Sequence, residues 1–225
     1  MKPWTKNHLL IPLVVVLGLL AVIELSGFDF YLQNKIFDFV QGKFSLRQNW
    51  FLVTIMHEWT KRLVIVLLLM VFVTWVVSFF YAPLKHKTYR LGYLLLAMAS
   101  SALLVSIIKQ LSSHYCPWDL KMYGGQFEFV RLFSFNNTQP AGKCWPGGHA
   151  STAFSLFAFY FYWNKQHPKF ARIALLGTIF FGAALSISQT LRGAHFISHN
   201  IWTGLICWLV SLGLYKIMLY KRDYQ

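Results

Sequence analysis

The sequence predicts an all-α, polytopic membrane protein: a six-transmembrane-helix bundle with both termini cytoplasmic. Three observations predict it. Of 225 residues, 56% are hydrophobic and only 12% charged, the composition of a membrane protein in one domain. Apolar runs recur at roughly 9–26, 63–82, 91–108, 149–163, 171–190 and 197–218. At 1.5 Å per residue each is about long enough to cross ~30 Å of hydrocarbon. The short connections "PLKHKTYR" (83–90) and "NKQHPKFAR" (164–172) and the tail "KRDYQ" are dense in Lys and Arg, and short basic loops stay cytoplasmic.

The elements follow in order. The first run lacks an A-x-A cleavage site and reads as a retained anchor. Residues 28–62 mix aromatics with charges, and read as an interfacial outer loop in which Lys35, Lys43, Arg47, Lys61 and Arg62 meet lipid phosphates. The second and third runs are plain spanning helices. Segment 112–148 is rich in Gly and Pro and reads as an ordered outer loop, long enough to be functional. The fourth run, "HASTAFSLFAFYFYW", is the shortest and most polar, so its helix is expected to be buried against protein. A short outer turn at 191–196 joins the fifth and sixth. No repeat or linker divides residues 1–225.

Lys plus Arg number 21 against seven Asp plus Glu, a net charge of +14. The charges are spread over loops, with no base-stacking platform or finger spacing, so nucleic acid is not an expected partner; the lipid bilayer is. Of three cysteines, Cys207 lies inside the last run as a small apolar filler. Cys116 and Cys144 share the outer loop, where an oxidising compartment permits a bond between them. No C-x-x-C pair suggests a metal site, and no cofactor is expected. "NNT" (136–138) is a glycosylation sequon only in a host that glycosylates.

Three polar clusters fall at outer ends of helices: Lys109 with "SSHYCPWDL", "CWPGGHAS", and "LRGAHFISHN". Ionisable groups at membrane depth are costly and mark sites by default. Gly147 and Gly148 before His149 at a helix start offer backbone N–H groups to an anion. On a continuous helix Ser188, Arg192, His195 and His199 would share one stripe, though Gly193 is placed to break it. Arginine donates to two phosphate oxygens at once, so Arg192 beside two histidines points to phosphate handling. Lys109 and His114 also fit a snorkelling lysine and a packed histidine.

These residues resemble the type 2 phosphatidic acid phosphatase superfamily, relatives of the vanadium haloperoxidases, whose motifs are K-x6-R-P, P-S-G-H and S-R-x5-H-x3-D. Here they read "KQLSSHYCP" (109–117), "PGGH" (146–149) and "SQTLRGAHFISH" (188–199), within a core of about residues 105–215. The resemblance implies that His195 is the nucleophile attacking phosphorus and His149 the acid that protonates the leaving oxygen. Water then hydrolyses a phosphohistidine. Lys109, the Gly147 and Gly148 amides and a third-motif arginine would hold the phosphate, with no metal.

Four positions depart from the pattern. Cys116 replaces the first motif's arginine, and Gly147 the second motif's serine. Gln189 stands at the third motif's arginine, with Arg192 one turn on as its expected substitute. His199 replaces the aspartate that orients the nucleophile. It accepts more weakly than a carboxylate, so Asn200, Asp119 and Glu128 are alternatives.

The leading expectation is a phosphatase acting on a membrane lipid phosphate or pyrophosphate at the outer, periplasmic face of a bacterial inner membrane. The alternatives are a lipid phosphotransferase using the same histidine, a catalytically degenerate lipid-phosphate-binding protein, and a transporter. The sequence does not choose the lipid or the oligomeric state.

Overall fold

The computed structural model describes residues 3–131 and 140–224; the "NNT" sequon lies outside them. Among the described residues, five helices are long and apolar enough to cross a membrane: α1 (Pro3–Ser26), α3 (Phe51–Phe80), α4 (Thr88–Leu111), α7 (Pro168–Leu191) and α8 (Ile197–Met218). Between α1 and α3 lie helix α2 (Phe28–Ile36) and a small hairpin of β1 (Phe37–Asp38) and β2 (Lys43–Phe44).

The fourth apolar run is two short helices, α5 (Gly148–Phe154) and α6 (Phe157–Trp163), instead of one span. Both pack among α4, α7 and α8, as the Ser and Thr of the run suggest. Ala150, Ala153, Ala158 and Phe161 are buried. The Phe154 ring fills the place that a Cβ on Gly182 of α7 would occupy, and a Cβ on Gly204 of α8 would come within 3.4 Å of it. Small residues let helix backbones close on such an aromatic where lipid offers no hydrophobic drive.

Helix α3 corrects the expected loop. Residues 51–62 belong to the helix, because "FLVTIM" extends the apolar run backwards and the Asn49 side chain accepts from the Leu52 N–H at 3.2 Å to cap its start. Lys61 and Arg62 are thus helical residues, and His57 and Glu58 join them.

Both ends of the chain meet the two basic connections at one end of the bundle. Trp4 stacks on His8 and Tyr215, His8 Nε2 lies 2.7 Å from the Tyr160 hydroxyl, and Trp208 Nε1 donates to the His8 carbonyl at 2.8 Å. Arg90 pairs with Asp223, which also accepts from the Tyr215 hydroxyl at 2.7 Å. Helix α2, the hairpin, residues 112–131 and 140–147 and the α7–α8 turn gather at the other end. Phe37, Phe44, Tyr115, Leu120, Tyr123 and Phe196 form a buried cluster there. Gln33 Nε2 donates to the His195 carbonyl at 3.1 Å, and the Ser198 N–H to Asp29 at 3.2 Å.

Candidate active site

Helix α4 carries Lys109 in its last turn. Its Nζ would lie 3.3 Å from a Cβ on Gly148, so the lysine rests against the start of α5 where a side chain would push it away. Gly148 opens α5, and the first N–H groups of a helix have no partner inside it. The Gly147 N–H, by contrast, donates to the His199 carbonyl at 3.1 Å, while the Gly147 carbonyl accepts from Thr203 Oγ1 at 3.0 Å. Of the two glycine amides expected to hold phosphate, that of Gly147 is therefore already engaged.

His149 follows, its ring centroid 3.5 Å from that of His57. His57 Nδ1 lies 2.9 Å from a Glu58 carboxylate oxygen. Lys61, one turn further along α3, lines a cavity of about 240 Å³ with Lys109, Gly148, His149 and Thr152. Sequence reading missed His57 and Glu58, and placed Lys61 at lipid headgroups. A signal existed: His57 and Lys61 stand four apart, one helical turn, just after an apolar hexad.

The third cluster is not a stripe. Helix α7 ends at Leu191, and Gly193 turns the chain with φ +73°. A Cβ there would come within 2.5 Å of the Phe44 ring, a second reason for glycine. Helix α8 restarts at Ile197, so Ser188 lies on α7, Arg192 and His195 in the turn, and His199 on α8. Arg192 does lean on Gln189: one guanidinium nitrogen donates to Gln189 Oε1 at 3.2 Å, and Nε donates to the Arg47 carbonyl at 3.1 Å.

His195 is 3% exposed. Burial pushes its imidazole well below the ordinary histidine value; positive charge at His199, Lys109 and His149 pushes the same way, and the Cys144 carbonyl opposes them. These are the groups the sequence placed together, and they share one electrostatic neighbourhood.

The expected orienting groups are elsewhere. The His199 ring lies 6.0 Å from that of His195, centroid to centroid, and its buried Nδ1 has no hydrogen bond among the described residues. Asn200 Nδ2 donates to the Phe196 carbonyl at 3.3 Å. Asp119 accepts from Trp118 Nε1 at 3.0 Å, and Glu128 pairs with Lys121 at 2.7 Å. The group at His195 Nδ1 is Cys144 Sγ, 3.3 Å away, in a disulfide with Cys116. A second cavity, about 1090 Å³, has one apolar side from Leu17, Leu20, Ile23, Phe30 and Trp202 and a polar side that includes Glu24, Asp29, His114, Arg131 and His199.

The model of the PAP2 superfamily matches residues 90–223. The chain belongs to the PAP2 superfamily. No curated protein and no solved structure matches it. The PAP2 match runs from Arg90 to Asp223, the two partners of the buried ion pair, and takes in Lys109, Gly147, Gly148, His149, Arg192, His195 and His199. His57, Glu58 and Lys61 lie before it. PAP2 membership makes the chain a phosphatase of phosphate esters, built on membrane-type helices.

Proposed function

We propose that the protein hydrolyses a membrane lipid phosphate or pyrophosphate through a phosphohistidine on His195. The observation that carries this reading is that Lys109 and His149 line one cavity at this end of the bundle and that the charges of both bear on the buried His195 ring, each residue on a separate element. Lys61, Lys109, Arg192 and three imidazoles crowd there, with Glu58 as the near carboxylate. A phosphate supplies the negative charge such a site lacks.

In this reading Nε2 of neutral His195 attacks phosphorus as the bond to the leaving oxygen breaks, and His149, which the negative charge of the bound phosphate allows to hold a proton among so many cations, gives that proton to the leaving oxygen. Lys109, the Gly148 amide and Arg192 hold the remaining phosphate oxygens. Water then attacks phosphorus, the N–P bond breaks, and the phosphoryl group leaves as inorganic phosphate. Splitting the reaction into two displacements lowers each barrier, and fixed donors stabilise the developing charge. The apolar side of the larger cavity suits a lipid chain.

Both termini lie with the basic connections at the opposite end, which supports a cytoplasmic placement for them. The site then faces the outer side, the periplasm if the membrane is a bacterial inner one, with the short α5–α6 pair as the sixth membrane-embedded segment. Purified protein is to be assayed for phosphate release across a panel of lipid phosphates with chelator present. Release by the wild type, and none by His149→Ala or His195→Ala, supports the reading. Activity lost on chelation, or kept without either histidine, overturns it.

A further inference from the structure

In place of the carboxylate that would hold an imidazole nucleophile, the structure sets Cys144, whose sulfur lies at Nδ1 and whose backbone carbonyl also acts on the ring. Cys144 Sγ is 3.3 Å from His195 Nδ1. Cys144 is fully buried and held on several sides: its N–H donates to the His114 carbonyl at 2.9 Å, its sulfur is bonded to Cys116, and that sulfur rests 3.2 Å from the Ala194 carbonyl. Ligand atoms of Cys116, Cys144 and His195 all fall within 4.8 Å of one another.

We propose that the Cys116–Cys144 disulfide is the positioning group of the nucleophile, fixing the His195 ring and its tautomer through Cys144. A disulfide sulfur carries no hydrogen, so it can only accept, and in a hydrogen bond with His195 Nδ1 the imidazole must be the donor. The proton then resides on Nδ1, and the lone pair on Nε2, the atom that must reach phosphorus. Sulfur is a weak acceptor, and rigidity compensates: the loop strand 143–144 is bonded to 112–114 through Lys143 N–H to Ser112 carbonyl and Cys144 N–H to His114 carbonyl, both at 2.9 Å. The Trp118 N–H reaches the Gly193 carbonyl at 3.1 Å, tying the same loop to the turn that carries His195. This gives one function to two departures from the family pattern, the cysteine at the first motif's arginine and the missing aspartate. The inference rests on His195 being the nucleophile.

Two measurements test it. The first uses wild-type protein carrying ¹⁵N-histidine, with the His195 signals assigned by their loss in His195→Gln. The Nδ1–H tautomer is expected at neutral pH; the Nε2–H tautomer overturns the proposal. The second places three residues at position 144 in one Cys116→Ser background, so that no member has the disulfide and its effect on loop stability cancels. Cys144, now a thiol, and Cys144→Ser keep an atom that accepts from Nδ1–H, although each also carries a hydrogen of its own, whereas Cys144→Ala has no acceptor. Removing an orienting group costs mainly kcat, and for a weak acceptor about tenfold or more is expected. The Ala member should fall that far below the other two, with KM unchanged and its acid limb moved to lower pH, since the imidazolium loses its acceptor. Equal kcat and equal pH profiles in all three overturn the proposal. If the wild type releases no phosphate from any lipid, the proposed function fails, while the tautomer still decides this inference.

Discussion

The Asn200 side-chain oxygen occupies the space that a Cβ on residue 147 would need. The second-motif serine of the PAP2 pattern therefore has no room here, and Gly147 and Asn200 form one packed unit across α5 and α8. That oxygen is buried and has no hydrogen bond among the described residues, but it stands so close that the Cβ itself, before any hydroxyl, would collide with it.

Introducing the family residue alone should be harmful. Gly147→Ser is expected to lower stability by roughly 1–3 kcal/mol, as overpacking does. Adding Asn200→Gly should return much of the loss, a coupling of about 1 kcal/mol or more in a double-mutant cycle of thermal melts in detergent. Additive effects would show that the two do not share the space.

Helix packing at Phe154 makes a second stability prediction. Gly182→Ala puts a methyl group into the Phe154 ring. A loss of roughly 1–3 kcal/mol is expected, larger than for Gly177→Ala on the same helix, where nothing lies within 4 Å. Equal melting temperatures for the two variants would contradict the packing described.

The two lysines of the small cavity should separate in kinetics. Lys109 rests against Gly148, and Lys109→Ala should cut kcat/KM about a hundredfold, the scale of a lost charge-stabilising donor. Lys61 is exposed and further along α3. Lys61→Ala should raise KM by less than tenfold with kcat nearly unchanged, the signature of uniform binding, and the difference should shrink in high salt.

The pH dependence follows from His195. Its folded pKa is depressed, mainly by burial, so the ring stays neutral as pH falls through ~6.5, the ordinary value. The acid limb of kcat/KM belonging to this group should therefore lie below ~6.5. Stability has the opposite sense. Between the folded and unfolded values the unfolded chain binds the proton and the folded chain does not, so stability falls as pH drops below ~6.5. An acid limb at or above that value would contradict a buried, neutral nucleophile.

Because His199 does not bond to His195, changing it should be tolerated. His199→Asp is expected to keep activity within about tenfold, whereas His195→Ala removes it. Equal losses would return the orienting role to His199.

Much of the bundle was legible in the sequence because runs such as 171–190 and 197–218 are long and mostly apolar, and the basic connections 83–90 and 164–172 mark one end. The start of α3 was not. His57, Glu58, Lys61 and Arg62 dilute the apolar run, and the same polar groups that face the site made the segment look like a loop. In the fourth run, length hid a break at Ser155–Leu156, because Ser and Leu carry no strong breaking signal. Lys109, His149 and His195 were legible through motif order. The sulfur at His195 was not, since Cys144 and His195 stand 51 residues apart and no local spacing links them. Glycine at 147 looked like a lost hydroxyl, and only the packing of Asn200 explains it.

The most direct test of the whole account is to trap the enzyme during turnover of a lipid carrying ³²P in its phosphate, by quenching in alkali, where phosphohistidine survives. The account predicts acid-labile, alkali-stable label on a peptide containing His195, absent from His195→Ala. Phosphate release by the wild type with no label on that peptide would contradict it.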